Sequence, residues 1–129
     1  MMISNVSVLV ANYDRDIDFY VNKLGFKLLC DVPVTSEQRW IRVAPQHNAS
    51  TSALVLTLAN QQQQHLIGKQ AGEGVFLFLQ SEDFWTDYQG MQTAGVEFLE
   101  QPREEIYATV VMFRDGEGNK WDLLQPKNN

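Results

Sequence analysis

The chain repeats itself. Moving the numbering by seventy places Val6 on Phe76, Val8 on Phe78, Gly25 on Gly95, Phe26 on Val96, Leu28 on Phe98 and Leu29 on Leu99. Both glycines follow a helical pattern and precede an apolar strand pattern, so the match lies in the order of elements more than in residue identity. A repeat of this kind fixes the architecture before any single element is assigned. Each half is too short to bury a sheet alone. The repeat therefore predicts an α+β fold in one domain, 1–129. Two βαβββ modules, 1–59 and 73–126, form a curved mixed sheet around a cleft with helices outside, and 60–72 is the linker.

The elements follow from periodicity. Ile3 to Val10 alternates, with Val6, Val8 and Val10 on one face and Asn5, Ser7 and Leu9 on the other, as in a half-buried strand. Asn12-Tyr13-Asp14 reads as a helix cap, and Ile17, Tyr20, Val21 and Leu24 keep helical spacing over Asp14 to Leu24. Strands are expected at Phe26 to Val32, Arg39 to Ala44 and Ala53 to Leu58. The polar stretch from Asn60 to Gly72, with glutamines at 61 to 64, reads as a linker or a short surface helix. The second module reads as a strand at Gly74 to Leu79, then a helix from Ser81 to Ala94 capped by Ser81. Trp85 and Tyr88 of that helix are expected against the sheet. Strands at Val96 to Leu99, Tyr107 to Phe113 and Lys120 to Leu124 complete it. Asp115-Gly116 and Gly118-Asn119 make the last two strands a hairpin. Alternation then puts Trp121 and Leu123 on one face and Lys120, Asp122 and Leu124 on the other.

Charge and cysteine usage narrow the partners. A net charge of −6 and a pI near 4.7 argue against nucleic acid or an anionic membrane surface. No apolar run approaches the length of a bilayer span. The single cysteine, Cys30, has no internal disulfide partner and reads as an inert thiol, which fits a reducing cytoplasm. A transition-metal site needs about three or more converging His, Cys or carboxylate groups. The two histidines, His47 and His65, lie in polar loop stretches and read as solvated. No nucleophile triad is evident, and G-E-G-N at 116–119 is a hairpin turn with no helix after it to make a phosphate site.

Two stretches at opposite ends of the repeat resemble a known family. Phe19-Tyr20 followed by Leu24-Gly25-Phe26 is similar to the F-Y-x-x-x-L-G-F signature of the vicinal oxygen chelate superfamily, which holds glyoxalases, bleomycin-resistance proteins and extradiol dioxygenases. Phe113 to Leu123 resembles its closing F-x-D-P-D-G-N-x-x-E-L, with Gly116 where proline is usual. Gly95-Val96-Glu97-Phe98 followed by Pro102 fits the second module.

The resemblance implies where a metal would be held: on inward positions of the first, fourth, fifth and eighth strands. Here these correspond to Asn5, Leu56, Val75 and Asp122, of which only Asp122 is an ordinary ligand. No metal and no other cofactor is therefore expected. The cleft is expected to be lined by Asn5, Ser7, Leu56, Val75 and Asp122, with Trp40 between Arg39 and Arg42 adding to it and Tyr107 at its rim. A cleft of apolar and aromatic groups with a few polar ones suits a small molecule. Two functions follow. One is a metal-free binding protein for a partly apolar ligand, like the bleomycin-resistance members, with Asp122 as counter-ion to a cation. The other is a glyoxalase-like lyase, isomerase or dioxygenase using a divalent metal or Asp122 as acid–base group. The resemblance also implies a homodimer, with the modules paired within one chain or across a swapped pair.

Overall fold

Alternation along Asn5–Val10 (β1) sends Val8 and Val10 into the interior, where neither is exposed at all. The computed structural model describes residues 1–46 and 52–128, in two compact units, Met1–Ile67 and Gly68–Asn129. In the first unit β1 is followed by a helix, Tyr13–Asp18 (α1), and by strands Lys27–Pro33 (β2), Arg39–Ala44 (β3) and Ala53–Leu58 (β4). They form a sheet in the order β1-β4-β3-β2, with β1 parallel to β4 and the other pairs antiparallel. One face carries Val8, Ile41, Val43, Leu54 and Leu56, all buried, and α1 packs on β4.

The second unit repeats this plan. Leu77–Gln80 (β5) leads into Phe84–Thr93 (α2), then Arg103–Glu104 (β6), Ala108–Arg114 (β7) and Lys120–Pro126 (β8). The order is β5-β8-β7-β6, with β5 parallel to β8. Its buried face is aromatic: Phe84, Tyr88, Phe98, Phe113 and Trp121 form a chain of ring contacts at 4.6–6.2 Å, favourable offset or edge geometries for each pair. The α+β class and the two repeated modules are as the sequence implies.

One residue separates the observed repeat from the expected one. The helix that starts at α1 changes at Phe19–Lys23 into a π-helical turn, where the Leu24 N–H donates to the Phe19 carbonyl (3.1 Å). Such a turn accommodates one extra residue. The caps that open the helices, Asn12 and Asp83, are thus 71 residues apart, whereas Gly25 and Gly95, which follow them at φ 74° and 91°, are 70 apart. Upstream of the turn the seventy-residue shift is out of phase. Val8 is buried beside Leu56, but Phe78 is 67% exposed beside Asp122. The partner of Asn5 in the second unit is therefore Phe76. Val75 lies ahead of β5.

Other boundaries differ for local reasons. Asp83, not Ser81, caps α2 by accepting from the Thr86 N–H, while Ser81 bonds the Asp83 N–H and donates to Asp87. Trp85 is 55% exposed, so only Tyr88 of that pair packs inward. The expected strand at Val96 to Leu99 is irregular: a Phe98–Phe113 bridge and two main-chain bonds join it to β7. Regular pairing resumes at β6, beyond Pro102, which has no N–H to give a ladder. Residues Gln61–Leu66 form a short 3-10 helix with an Asn60–Gln63 capping box, one of the two alternatives for the linker.

The β7–β8 turn is held by a buried carboxylate. Asp115 Oδ1 accepts from the N–H groups of Glu117, Gly118 and Asn119 at 2.9–3.1 Å. Its Oδ2 accepts from Asn119 Nδ2 and Trp121 Nε1, both at 3.0 Å. Removing the acceptor strands several buried donors at once. Asp115→Ala is expected to cost about 2–4 kcal/mol, read as a melting temperature lower by roughly ten degrees. An unchanged melt would show that the turn holds without it.

Candidate functional site

Each sheet covers one face with a helix and leaves groups of functional interest on the other. On β1 these are Asn5 and Ser7. Asn5 pairs with Ala53 and Ser7 with Val55, and Val55 in turn pairs with Arg42. Arg42 Nε donates to Asn5 Oδ1 at 2.9 Å, so Asn5, Ser7, Val55 and Arg42 share a face. Leu56 is on the opposite face, 1% exposed under the helix, because it pairs with Val8. The fourth-strand residues beside Asn5 and Ser7 are Val55 and Thr57, whose hydroxyl approaches Ser7 Oγ at 3.5 Å.

Trp40 lies where β3 and β4 part. Their ladder joins Arg42 to Val55 and Val43 to Leu54, and no further pair is present among the described residues. Beyond that point β4 continues alongside β1 as far as Leu58, and β3 continues alongside β2 as far as Arg39. The divergence leaves a pocket of about 280 Å³ between Trp40 and the run Val55 to Leu58, with Val34, Gln38, Arg39 and Tyr13 around it. Arg39 is fixed in place. Its Nε and Nη2 meet the two oxygens of Asp31 at 3.1 and 2.6 Å, its Nη1 meets Asp14 at 2.9 Å, and the guanidinium lies 5.3 Å from the Tyr13 ring centre. The hydrogen bonds from Arg39 hold the Asp31 carboxyl below its usual range.

In the second unit Asp122 faces away from the helix, opposite Met112 and Phe78. Its Oδ1 is buried and has no hydrogen-bond partner among the described residues. Arg103 is the nearby cation, but its guanidinium is taken by Glu100 (2.9 Å) and Glu105 (2.7 Å). Glu100 also accepts the Met112 N–H at 3.0 Å. Desolvation raises the Asp122 pKa; the positive charge of Arg103 opposes the shift and the negative charge of Glu100 adds to it. Tyr107, 64% exposed, and Ile106, 92% exposed, sit just before β7 in the same unit.

Sequence reasoning chose Asp122, Asn5, Ser7 and Trp40, and the structure puts each on an uncovered face or in a pocket. It missed Tyr13, Gln38 and Glu100, which carry no motif. The expected position of Leu56 beside Asn5 and Ser7 is off by one, since a one-residue slip exchanges the faces of a strand, although Leu56 is among the residues around the pocket beside Trp40. The positions implied for a metal do not make a ligand set. Leu56 is an alkyl side chain under the helix, and Val75 has no donor. Among the described residues no three His, Cys, Asp or Glu side chains converge. His65 sits on the 3-10 helix at 61–66, and His47 lies outside the described residues.

This fold and these faces belong to a known class of protein. A model of the glyoxalase/bleomycin resistance protein/dioxygenase superfamily matches residues 2–123, and the chain belongs to that superfamily. An uncharacterized protein of Shewanella frigidimarina is 44% identical over 124 residues, which are 95% of this chain and 92% of that protein. Among solved structures, UcmS2 superposes with a TM-score of 0.83 at 28% identity, covering 96% of this chain and 97% of that one. TnmS3, described as an antibiotic binding protein from Streptomyces sp. CB03234, superposes with a TM-score of 0.80 at 30% identity, covering 98% and 97%.

The Asp122 carboxyl makes a pH prediction. Its pKa is raised in the folded chain, so the folded state binds more protons than the unfolded one between the ordinary aspartate value of 3.8 and the raised value. Stability contributed by this group therefore falls as pH rises through that window. Asp122→Asn is expected to melt higher than the parent at neutral pH, with the gap closing in acid below 3.8. Equal melting temperatures at every pH would mean that Asp122 is compensated.

Proposed function

We propose that the protein binds a small, partly apolar molecule, without a metal and without transforming it. The observation that carries this reading is the Asp122 carboxylate oxygen, buried beside exposed apolar groups on an uncovered sheet face and lacking a partner among the described residues. A buried carboxylate without a donor costs free energy that a ligand's N–H or cation returns. Phe78, 67% exposed on the paired strand, offers an aromatic surface next to it. Glu100 and Glu105 outnumber Arg103, so the surroundings favour a cation over an anion. The likeness to TnmS3 supports the same class of function, since that protein is described as binding an antibiotic.

The mechanism is retention. A ligand amine donates to Asp122 while its apolar body covers Phe78. The test starts from a thermal-shift screen of cationic aromatic amines, followed by calorimetry of the best hit. Asp122→Asn keeps the shape and removes the charge. It is expected to weaken that amine by roughly ten-fold or more, as for a charge-assisted hydrogen bond of about 1.5–3 kcal/mol. Unchanged affinity would remove Asp122 from the site.

We also propose that the working form is a homodimer in the cytoplasm. The edge strand β2 is exposed along almost its whole length and carries Leu28, Leu29 and Val32, each 38–49% exposed. Unpaired edges with apolar side chains invite a partner. Sedimentation at micromolar concentration is expected to give twice the chain mass of 14.8 kDa, and a monomer would reject the dimer.

A further inference from the structure

We propose that the first unit carries a pocket, between the diverging ends of β3 and β4, for an uncharged aromatic group bearing a hydrogen-bond acceptor. Every residue that lines it belongs to the first unit, whereas Asp122 belongs to the second. The pocket exists for a topological reason. β4 follows its parallel partner β1 while β3 follows its antiparallel partner β2, and the sheet opens between them.

The contents of the pocket specify the ligand. Its volume of about 280 Å³ is at the low end of small-molecule sites, roughly 300–1,000 Å³, so it takes one or two fused rings. Trp40, 42% exposed, provides an aromatic face, and Val34, 63% exposed, and Leu58, 37% exposed, provide apolar contact. The Thr57 hydroxyl approaches Ser7 and the Val55 carbonyl, and two further polar groups line the pocket. The Gln38 side-chain amide has no hydrogen-bond partner among the described residues, and its N–H groups donate. The Tyr13 hydroxyl oxygen accepts the Arg39 N–H at 3.2 Å, which leaves its own proton free to donate. Both point to an acceptor such as a carbonyl on the ligand.

Charge sets the third condition. Arg39 lines the pocket, but three of its donor positions are held by Asp31 and Asp14. The group therefore carries one positive and two negative charges. An anionic ligand would meet a cation already neutralised and an excess carboxylate beside it. This is the opposite of a free arginine site, which selects carboxylates by a bidentate fork.

The test uses the full chain and two isosteric probes, 2-acetylnaphthalene, which is uncharged, and 2-naphthoate, which is an anion. Binding is followed in two-dimensional NMR through the indole N–H signals of the three tryptophans, 40, 85 and 121. The expected result is saturable movement of the Trp40 signal by 2-acetylnaphthalene, with 2-naphthoate at least ten-fold weaker. Gln38→Ala, a change in an exposed side chain, is expected to weaken the acetyl probe several-fold, and Trp40→Ala to abolish its binding while the Trp121 signal stays in place. Equal or tighter binding of naphthoate, a Trp40 signal that does not move, or an unaltered Gln38→Ala variant would each overturn the proposal. Amine binding that depends on Asp122 would survive any of those results, so the two readings fail separately.

Discussion

The hydrogen bond from Trp121 Nε1 to Asp115 links the stability of this protein to the face that carries Asp122. Asp115 gathers the turn between β7 and β8 and fixes the Trp121 ring on the helix side, where it meets Phe113 at 5.7 Å. Because neighbouring residues of a strand face opposite ways, a fixed Trp121 forces Asp122 to the uncovered side. A slip of one residue in β8 would bury the Asp122 carboxylate among aromatic rings and expose the tryptophan. The cost of that exchange is what holds the register, and the register is what presents the carboxylate.

The same logic explains what was legible in the sequence. The glycine and asparagine pairs at 115–119 name the hairpin, and alternation through Lys120 to Leu124 assigns both faces of β8 correctly. The repeat reveals two modules because Gly25 and Gly95 close equivalent helices. It does not reveal the π-helical turn at Phe19–Lys23, because no residue type there demands one; the turn shows only in the Leu24 to Phe19 bond. That single residue moves the equivalent of Asn5 from Val75 to Phe76. Leu56 was misassigned for a related reason. In a run as uniformly apolar as A-L-V-L-T-L, no polar residue marks the inward face before Thr57, and only pairing with β1 does so.

Function in this superfamily is a matter of which side chains occupy a shared frame, since one fold carries many chemistries. Here the corresponding positions carry an amide (Asn5), an alkyl group (Val55), an aromatic ring (Phe76) and one carboxylate (Asp122). What the uncovered faces offer instead is aromatic and aliphatic surface with isolated polar groups: Asp122 in one unit, and Gln38 and Tyr13 at the strand divergence in the other. These are means of holding a molecule.

The central claim is that this binding needs no metal. Emission spectroscopy on the purified, dialysed protein tests it most directly, paired with an assay of lactoylglutathione formation after addition of nickel, zinc, manganese or iron(II). The account predicts metal well below one equivalent per chain and no turnover with any of the four ions. Stoichiometric metal that survives dialysis, or turnover that appears with one ion, would contradict it and return the protein to the enzymes of its superfamily.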